Sequence, residues 1–220
     1  MTQRLDGVER AIEAFRGGEP VLIHDFDDRE AETDLVYPAA EVTPEAVARL
    51  RNDAGGLVCV ALSATVADAF DLPLIEETLD HPATGGAVGY DDRSSFSISV
   101  NHRDTYTGIT DRDRSRTIRA LAAAAKAVPE YGLDDFAAEF RSPGHVTLLR
   151  AAPSLSDRRG HTELGITLAA AADREPAVVV CEMLDDASGR ALSKEAAREY
   201  ASRHDLAFVE GAALVEALST

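Results

Sequence analysis

The chain has 220 residues and carries 22 Lys and Arg against 39 Asp and Glu, a formal net charge of −17. That length allows one large domain or two small ones around a real core, and the charge argues against a nucleic-acid partner, since no basic run is present to neutralise phosphates. No charged-then-apolar leader pattern opens the chain and no apolar run approaches the roughly 18 residues of a membrane helix, so a soluble cytoplasmic protein without a membrane partner is expected.

In chain order, Leu5, Val8, Ala11, Ile12 and Phe15 fall at helical spacing over residues 4–15. Gly17-Gly18-Glu19-Pro20 stops that helix and Val21–His24 begins a strand. The densest polar stretch follows: His24-Asp25-Phe26-Asp27-Asp28-Arg29-Glu30-Ala31-Glu32-Thr33-Asp34-Leu35 sets six carboxylates around one arginine. Like charges this close raise each other's pKa and repel. The stretch is either a solvated acidic loop or the seat of a hard divalent cation with oxygen ligands. An EF-hand loop is excluded, because Arg29 and Glu30 fall where a ligand and the turn glycine belong.

Residues 35–40 return as a strand. Thr43-Pro44-Glu45-Ala46 opens a helix to about Asp53, with a threonine cap, a proline at the first helical position and an acid in the first turn. Gly55-Gly56 ends it; Leu57–Leu62 reads as a buried strand and residues 64–70 as a helix. Cys59 and Cys181 both lie in apolar runs and are expected to be packing residues rather than parts of a disulfide or zinc site. Residues 80–95 read as a surface loop and Phe96–Val100 as a half-buried strand. Thr107-Gly108-Ile109-Thr110 turns into a charged helix running from Asp111 to about Val128.

A short helix at 134–140, a tight turn at Ser142-Pro143-Gly144-His145 and a strand from Val146 to Arg150 come next. Asp157-Arg158-Arg159-Gly160-His161-Thr162-Glu163 leads into an amphipathic helix through Leu164, Ile166, Leu168 and Ala172. A buried strand at 177–184, a helix from Ser193 to Arg203 and a strand-helix piece from Ala207 to Leu218 complete the pattern. With no linker, no repeat and no strict βαβ rhythm, a single α+β domain is predicted.

Three further polar groupings stand beside the acidic stretch. His145 is presented by a turn; taken alone, such a histidine is more often a structural hydrogen-bonder than a catalyst. Arg158-Arg159-Gly160-His161-Thr162 combines free helix-start N–H groups, a glycine, two guanidinium groups and a hydroxyl, a phosphate cradle in preference to a plain capped helix. His161 adds a nitrogen that can ligate a metal held by the acidic stretch. Glu182, after an apolar run, is either paired or catalytic, or reaches solvent where the strand ends. Only two lysines occur, Lys126 and Lys194. Such an acidic, lysine-poor, alanine-rich composition resembles that of proteins from salt-loving organisms, where salt screens the self-repulsion.

Taken together, Asp27–Leu35, Val42-Thr43-Pro44-Glu45, Gly56–Leu62, Thr107–Thr110, Ser142–Val146, Gly160-His161-Thr162-Glu163 and Val180-Cys181-Glu182 resemble, in order, the 3,4-dihydroxy-2-butanone 4-phosphate synthase family. The resemblance covers roughly residues 8 to 210. Departures are modest: Ala31 and Thr33 stand where asparagine or aspartate and glycine are common, Thr147-Leu148 replaces Phe-Pro, Arg159 a glycine and Leu164 an alanine.

The resemblance implies a stand-alone domain over residues 1–220, with a mixed β-sheet flanked by helices. It implies conversion of D-ribulose 5-phosphate to 3,4-dihydroxy-2-butanone 4-phosphate and formate in riboflavin biosynthesis. The route is metal-assisted enolisation, dehydration, skeletal rearrangement and loss of C4. The cofactor is magnesium or manganese, two divalent ions per site. By the family pattern Glu30 and His161 ligate metal, and Arg158, Arg159, Gly160, His161 and Thr162 hold the phosphate. Arg29, Glu30, Asp34, Thr107 and Glu182 contact the sugar, and His145 and Glu182 transfer protons. Asp25 and Glu32 are candidates for a second ion or for substrate hydroxyls. A homodimer with its site near the subunit interface is implied. The alternatives are another divalent-metal-dependent sugar-phosphate isomerase or aldolase, or a catalytically silent acidic domain.

Overall fold

The structure, a computed structural model, describes residues 2–84, 89, 91 and 93–218. Val21–His24 (β1) is buried along its whole length, so it must be covered on both faces and paired at both edges. Thr33–Pro38 (β2) pairs with it antiparallel, with Ile23 opposite Asp34 and His24 opposite Thr33; Ala207–Glu210 (β9) pairs in parallel on the other side. The acidic stretch is therefore the connection of a β-hairpin, anchored at both ends in the sheet. The remaining long strands are Cys59–Leu62 (β3), Phe96–His102 (β4), Phe140–Arg150 (β5) and Ala177–Val180 (β6). Together they form a 7-stranded mixed sheet in the order β4-β5-β3-β6-β2-β1-β9.

Strand side chains alternate between two faces, and each face has its own apolar layer. On one, Phe15, Ile23, Val36, Ala61, Leu168 and Val178 pack under Thr2–Arg16 (α1), His161–Ala171 (α7) and Gly211–Leu218 (α9). On the other, Leu22, Leu50, Val60, Phe70, Ile118 and Phe136 pack with Pro44–Arg49 (α2), Ala64–Ala69 (α3), Asp111–Lys126 (α5), Leu133–Glu139 (α6) and Lys194–Arg203 (α8). A turn of helix at Ile75–Thr78 (α4) has no buried residues. The predicted α+β domain is this arrangement.

Local differences have local causes. β2 begins at Thr33 rather than Leu35, because pairing with β1 draws Asp34 into the strand. The helix after Thr43 ends at Arg49 and relaxes into a wider π turn over Leu50–Ala54 before Gly55 reverses the chain. Ser142–His145 is not a free turn but an excursion within β5. The register with β4 passes from Val100 opposite Val146 to Asn101 opposite Arg141, and the proline lies in the unpaired stretch where its missing N–H is not needed. The strand expected at 177–184 ends at Val180, with Glu182 reaching Asp34 through an isolated bridge. A small hairpin, Leu184–Asp185 (β7) with Arg190–Ala191 (β8), follows. Part of the loop expected at 80–95, residues 85–88, 90 and 92, lies outside the described residues.

α7 carries the helix start singled out above, and its seat on the sheet is tight. A Cβ on Gly165 would lie 2.9 Å from Val178 Cγ2 and 3.6 Å from Val36 Cγ1. Gly165→Val is therefore expected to destabilise the fold by about 2 kcal/mol through overpacking. Denaturant unfolding measures this directly, and an unchanged midpoint would show that α7 has room to shift.

Candidate active site

Three segments meet at one end of the β2–β6 pair: the β1–β2 connection, the end of β6 and the start of α7. Asp34 bridges to Glu182 along the sheet, and α7 opens with His161 facing them. His161 Nδ1 lies 3.4 Å from Glu30 Oε2 and 3.6 Å from Asp34 Oδ1. Asp34 and His161 are buried, and neither Asp34 Oδ1 nor His161 Nε2 has a hydrogen-bond partner.

Burial and neighbouring charges set the electrostatics of this group. Burial pushes the Asp34 carboxyl far above the usual range; His161 works against that, while Glu182, Glu30 and Glu32 add to it. Burial opposes a charge on His161, but Asp34, Glu30 and Asp25 outweigh it and raise the imidazole. Glu32 is raised by burial and then by Glu30 and Glu182. Glu30 is raised by burial, yet His161 and Arg29 hold it below its ordinary value. Asp34 and Glu32 thus bind protons more tightly than usual, and a cation beside them would relieve that. Ligand atoms of Asp25, Glu30 and His161 lie within 4.8 Å of one another. Two carboxylate oxygens and one imidazole nitrogen, with the unpartnered Asp34 Oδ1 nearby, fit a hard divalent ion such as magnesium or manganese.

Guanidinium groups close the other side. Arg29 Nη1 donates to Asp25 Oδ2 at 3.0 Å and lies 3.1 Å from Glu30 Oε1. Arg29 Nη2 and Arg158 Nη2 both meet Asp91 Oδ2, each at 2.6 Å. Arg158 Nη1 donates to Glu163 Oε2 at 2.7 Å, and the same carboxylate accepts the N–H groups of Gly160 at 3.1 Å and Ala152 at 2.8 Å. Gly160 is where the two arginines converge: a Cβ there would lie 2.5 Å from Arg158 Nη1 and 2.9 Å from Arg29 Nη2.

A cavity of about 220 Å³ opens between these groups, and Arg29, Glu30, Asp34, Arg158, His161, Thr162 and Glu182 line it. Glu182 Oε2 accepts the Leu57 N–H at 2.9 Å. Cys59 is also in the wall; burial, with the nearby Glu182 and Asp34 charges, raises its thiol far above the ordinary value, so it stays protonated and packs.

Three predicted residues stand apart. Arg159 turns outward, donating to Asp28 at 3.0 Å and stacking over the Phe26 ring at 4.3 Å. His145 is exposed on β5, its backbone N–H held by Asn101 Oδ1 at 2.8 Å and its Nδ1 3.2 Å from Asn101 Nδ2. The same Asn101 amide reaches the Thr107 carbonyl at 3.5 Å, and the Thr107 hydroxyl donates to Asp113 at 3.4 Å. His145 and Thr107 thus form a second group, tied by Asn101. The sheet keeps that group close: Thr147, just beyond His145, is paired with Cys59 of the cavity wall. A larger groove of about 620 Å³ runs along α5, and none of the predicted site residues lines it.

Asp91, Asn101 and Glu163 carry contacts that residue patterns did not assign. Glu163 had a readable signal, an acid at the third helical position reaching back to the residue before the helix. Asp91 meets arginines far off in sequence, and Asn101 holds His145 from 44 residues away.

A family model for 3,4-dihydroxy-2-butanone 4-phosphate synthase matches residues 9–217. The chain belongs to that family. It is 48% identical over 219 residues to a 3,4-dihydroxy-2-butanone 4-phosphate synthase of Archaeoglobus fulgidus, covering 94% of this chain and 92% of that protein. With a protein of the same name from Methanosarcina mazei the identity is 46% over 224 residues, covering 96% and 91%. A crystal structure of a 3,4-dihydroxy-2-butanone 4-phosphate synthase in complex with two magnesium ions superposes with a TM-score of 0.80 at 31% identity, covering 95% of this chain and 94% of that one.

The tie between helix start and guanidinium runs through one carboxylate. Glu163 is buried and balances Arg158. Glu163→Gln is expected to remove about 3 kcal/mol of stability by leaving Arg158 underpaired, read from urea unfolding. A loss below about 0.5 kcal/mol, the size of an ordinary surface change, would mean that Arg158 is held by other groups.

Proposed function

We propose that this chain converts D-ribulose 5-phosphate to 3,4-dihydroxy-2-butanone 4-phosphate in the cavity between β2, β6 and α7, releasing C4 as formate. It is a lyase of riboflavin biosynthesis, and family membership disfavours the isomerase or aldolase alternative. The observation that carries the site assignment is the convergence on one cavity of an acid-histidine cluster short of positive charge, a glycine-spaced pair of arginines and Glu182.

Glu30 and His161 are the residues that would hold a magnesium or manganese ion, with Asp25 and Glu32 beside them for a second. A divalent ion there supplies the charge that stabilises an enediolate as a proton leaves the carbon next to the ketone. Arg158, Thr162 and the first-turn N–H groups of α7 grip the phosphate and set its distance from Glu30. Arg29 and Asp34 orient the sugar hydroxyls. Glu182, with one oxygen fixed by the Leu57 N–H, is placed to take or return a proton at the sugar carbons.

His145 is the other proton-transfer group, held in orientation by Asn101 and presented to solvent. Apolar residues are exposed around both groups: Leu57 beside Glu182, Phe96 at the cavity, and Tyr106 and Ile109 flanking Thr107. A second copy seated on that rim would bury them and carry His145 and Thr107 toward the cavity, which supports a homodimer. Residues 1–220 are taken as one catalytic domain working in a salty cytoplasm, where ions screen the net charge of −17. Among the described residues no helix is long and apolar enough to cross a membrane.

The test is formate release from ribulose 5-phosphate with magnesium, in low and in molar salt. Formate is expected to disappear on chelation and to fall about 100-fold or more in His145→Ala and Glu182→Gln, the usual scale for losing a proton-transfer group. A folded protein that releases no formate in either salt, or releases it unchanged without metal, would overturn the proposal.

A further inference from the structure

We propose that the Asp91 carboxylate occupies the place of the substrate's phosphate and is displaced by it, so that Asp91 sets how readily the site accepts a phosphomonoester. The proposal deepens the function above: it rests on Arg158 being part of the phosphate cradle and adds Arg29 Nη2 to that cradle, leaving Arg29 Nη1 on the sugar side with Asp25 and Glu30.

Asp91 Oδ2 bridges Arg29 Nη2 and Arg158 Nη2 at 2.6 Å each, with its side chain only 10% exposed and in the cavity wall. The two guanidinium groups therefore already hold an anion at the point where Gly160 lets them converge. Their other edges are committed differently. Arg29 Nη1 is spent on Asp25 and Glu30, and Arg158 Nη1 on Glu163. Asp25 and Glu163 are also fixed by backbone N–H groups, Asp25 by that of Glu32 and Glu163 by those of Gly160 and Ala152. Among the described residues Asp91 accepts only from the two arginines, which leaves it more easily exchanged than Asp25 or Glu163.

A phosphate oxygen can reproduce both contacts of Asp91, and a dianion is the stronger partner for two guanidinium groups beside a helix start. A neutral sugar hydroxyl cannot, so an unphosphorylated pentulose is left competing with a charged residue. The competition also weakens apparent affinity for the correct ligand: an Asp91-docked state favoured about ten to one weakens phosphate binding about tenfold.

Inorganic phosphate is the probe, titrated calorimetrically into the full chain at fixed ionic strength, with circular dichroism confirming that each variant is folded. Asp91→Ala is expected to tighten phosphate binding about tenfold, and Asp91→Asn, which keeps the shape but not the charge, to tighten it by a smaller factor. Unchanged or weaker binding in both variants would overturn the displacement and make Asp91 a fixed brace for the arginines. Arg158→Ala separates the two levels of the claim. Undiminished phosphate affinity in that variant, or no phosphate binding in any protein, would remove the cradle itself. A loss there with no gain at Asp91 would overturn the displacement alone.

Discussion

Asp34 and Glu182 lie side by side across neighbouring sheet segments, with Glu30 and Glu32 next to them and His161 facing the group from α7. Carboxylates brought this close out of water are tolerated only if something positive is shared among them. His161, raised by Asp34, Glu30 and Asp25, supplies part of it, and burial keeps Asp34 raised all the same. Much of the surrounding structure serves to hold this cluster in place.

The fold does so by making the acidic stretch a hairpin connection rather than a free loop. Asp25 leaves β1 and returns a contact to the Glu32 backbone, and Asp34 is already paired with Ile23. From above, α7 reaches the cluster because Gly165 lets the helix lie against Val178 and Val36. Glu163 then ties the helix start to Arg158 and to the chain after β5. A few short contacts between sheet, helix and connection thus hold a charged group at a defined distance from Arg158 and the start of α7.

Much of this was legible in the residues. Periodicity locates the main strands and helices, and the pairing of acids with a later histidine points to metal chemistry. What stayed hidden depended on partners distant in sequence. Asp34 read as loop because its strand character comes from β1, and Ser142–His145 read as a turn because its place within β5 comes from β4. The exposure of His145 could not be read from its neighbours, nor could Asp91, whose arginines lie far away along the chain. Ala31 is a further case. Its φ of 55° is one that asparagine or aspartate adopts with less strain than alanine. The left-handed backbone at that position is thus a requirement this chain meets with a poorer residue, which its neighbours in the sequence do not reveal.

The central claim is that a divalent ion completes the acid-histidine cluster. Crystals grown with manganese, with diffraction recorded for its anomalous signal, would test it most directly. The account predicts a manganese peak ligated by Glu30 and His161, beside Asp34 and at the edge of the cavity. A fully folded chain with no peak there, and with His161 still paired directly to Glu30 and Asp34, would contradict it.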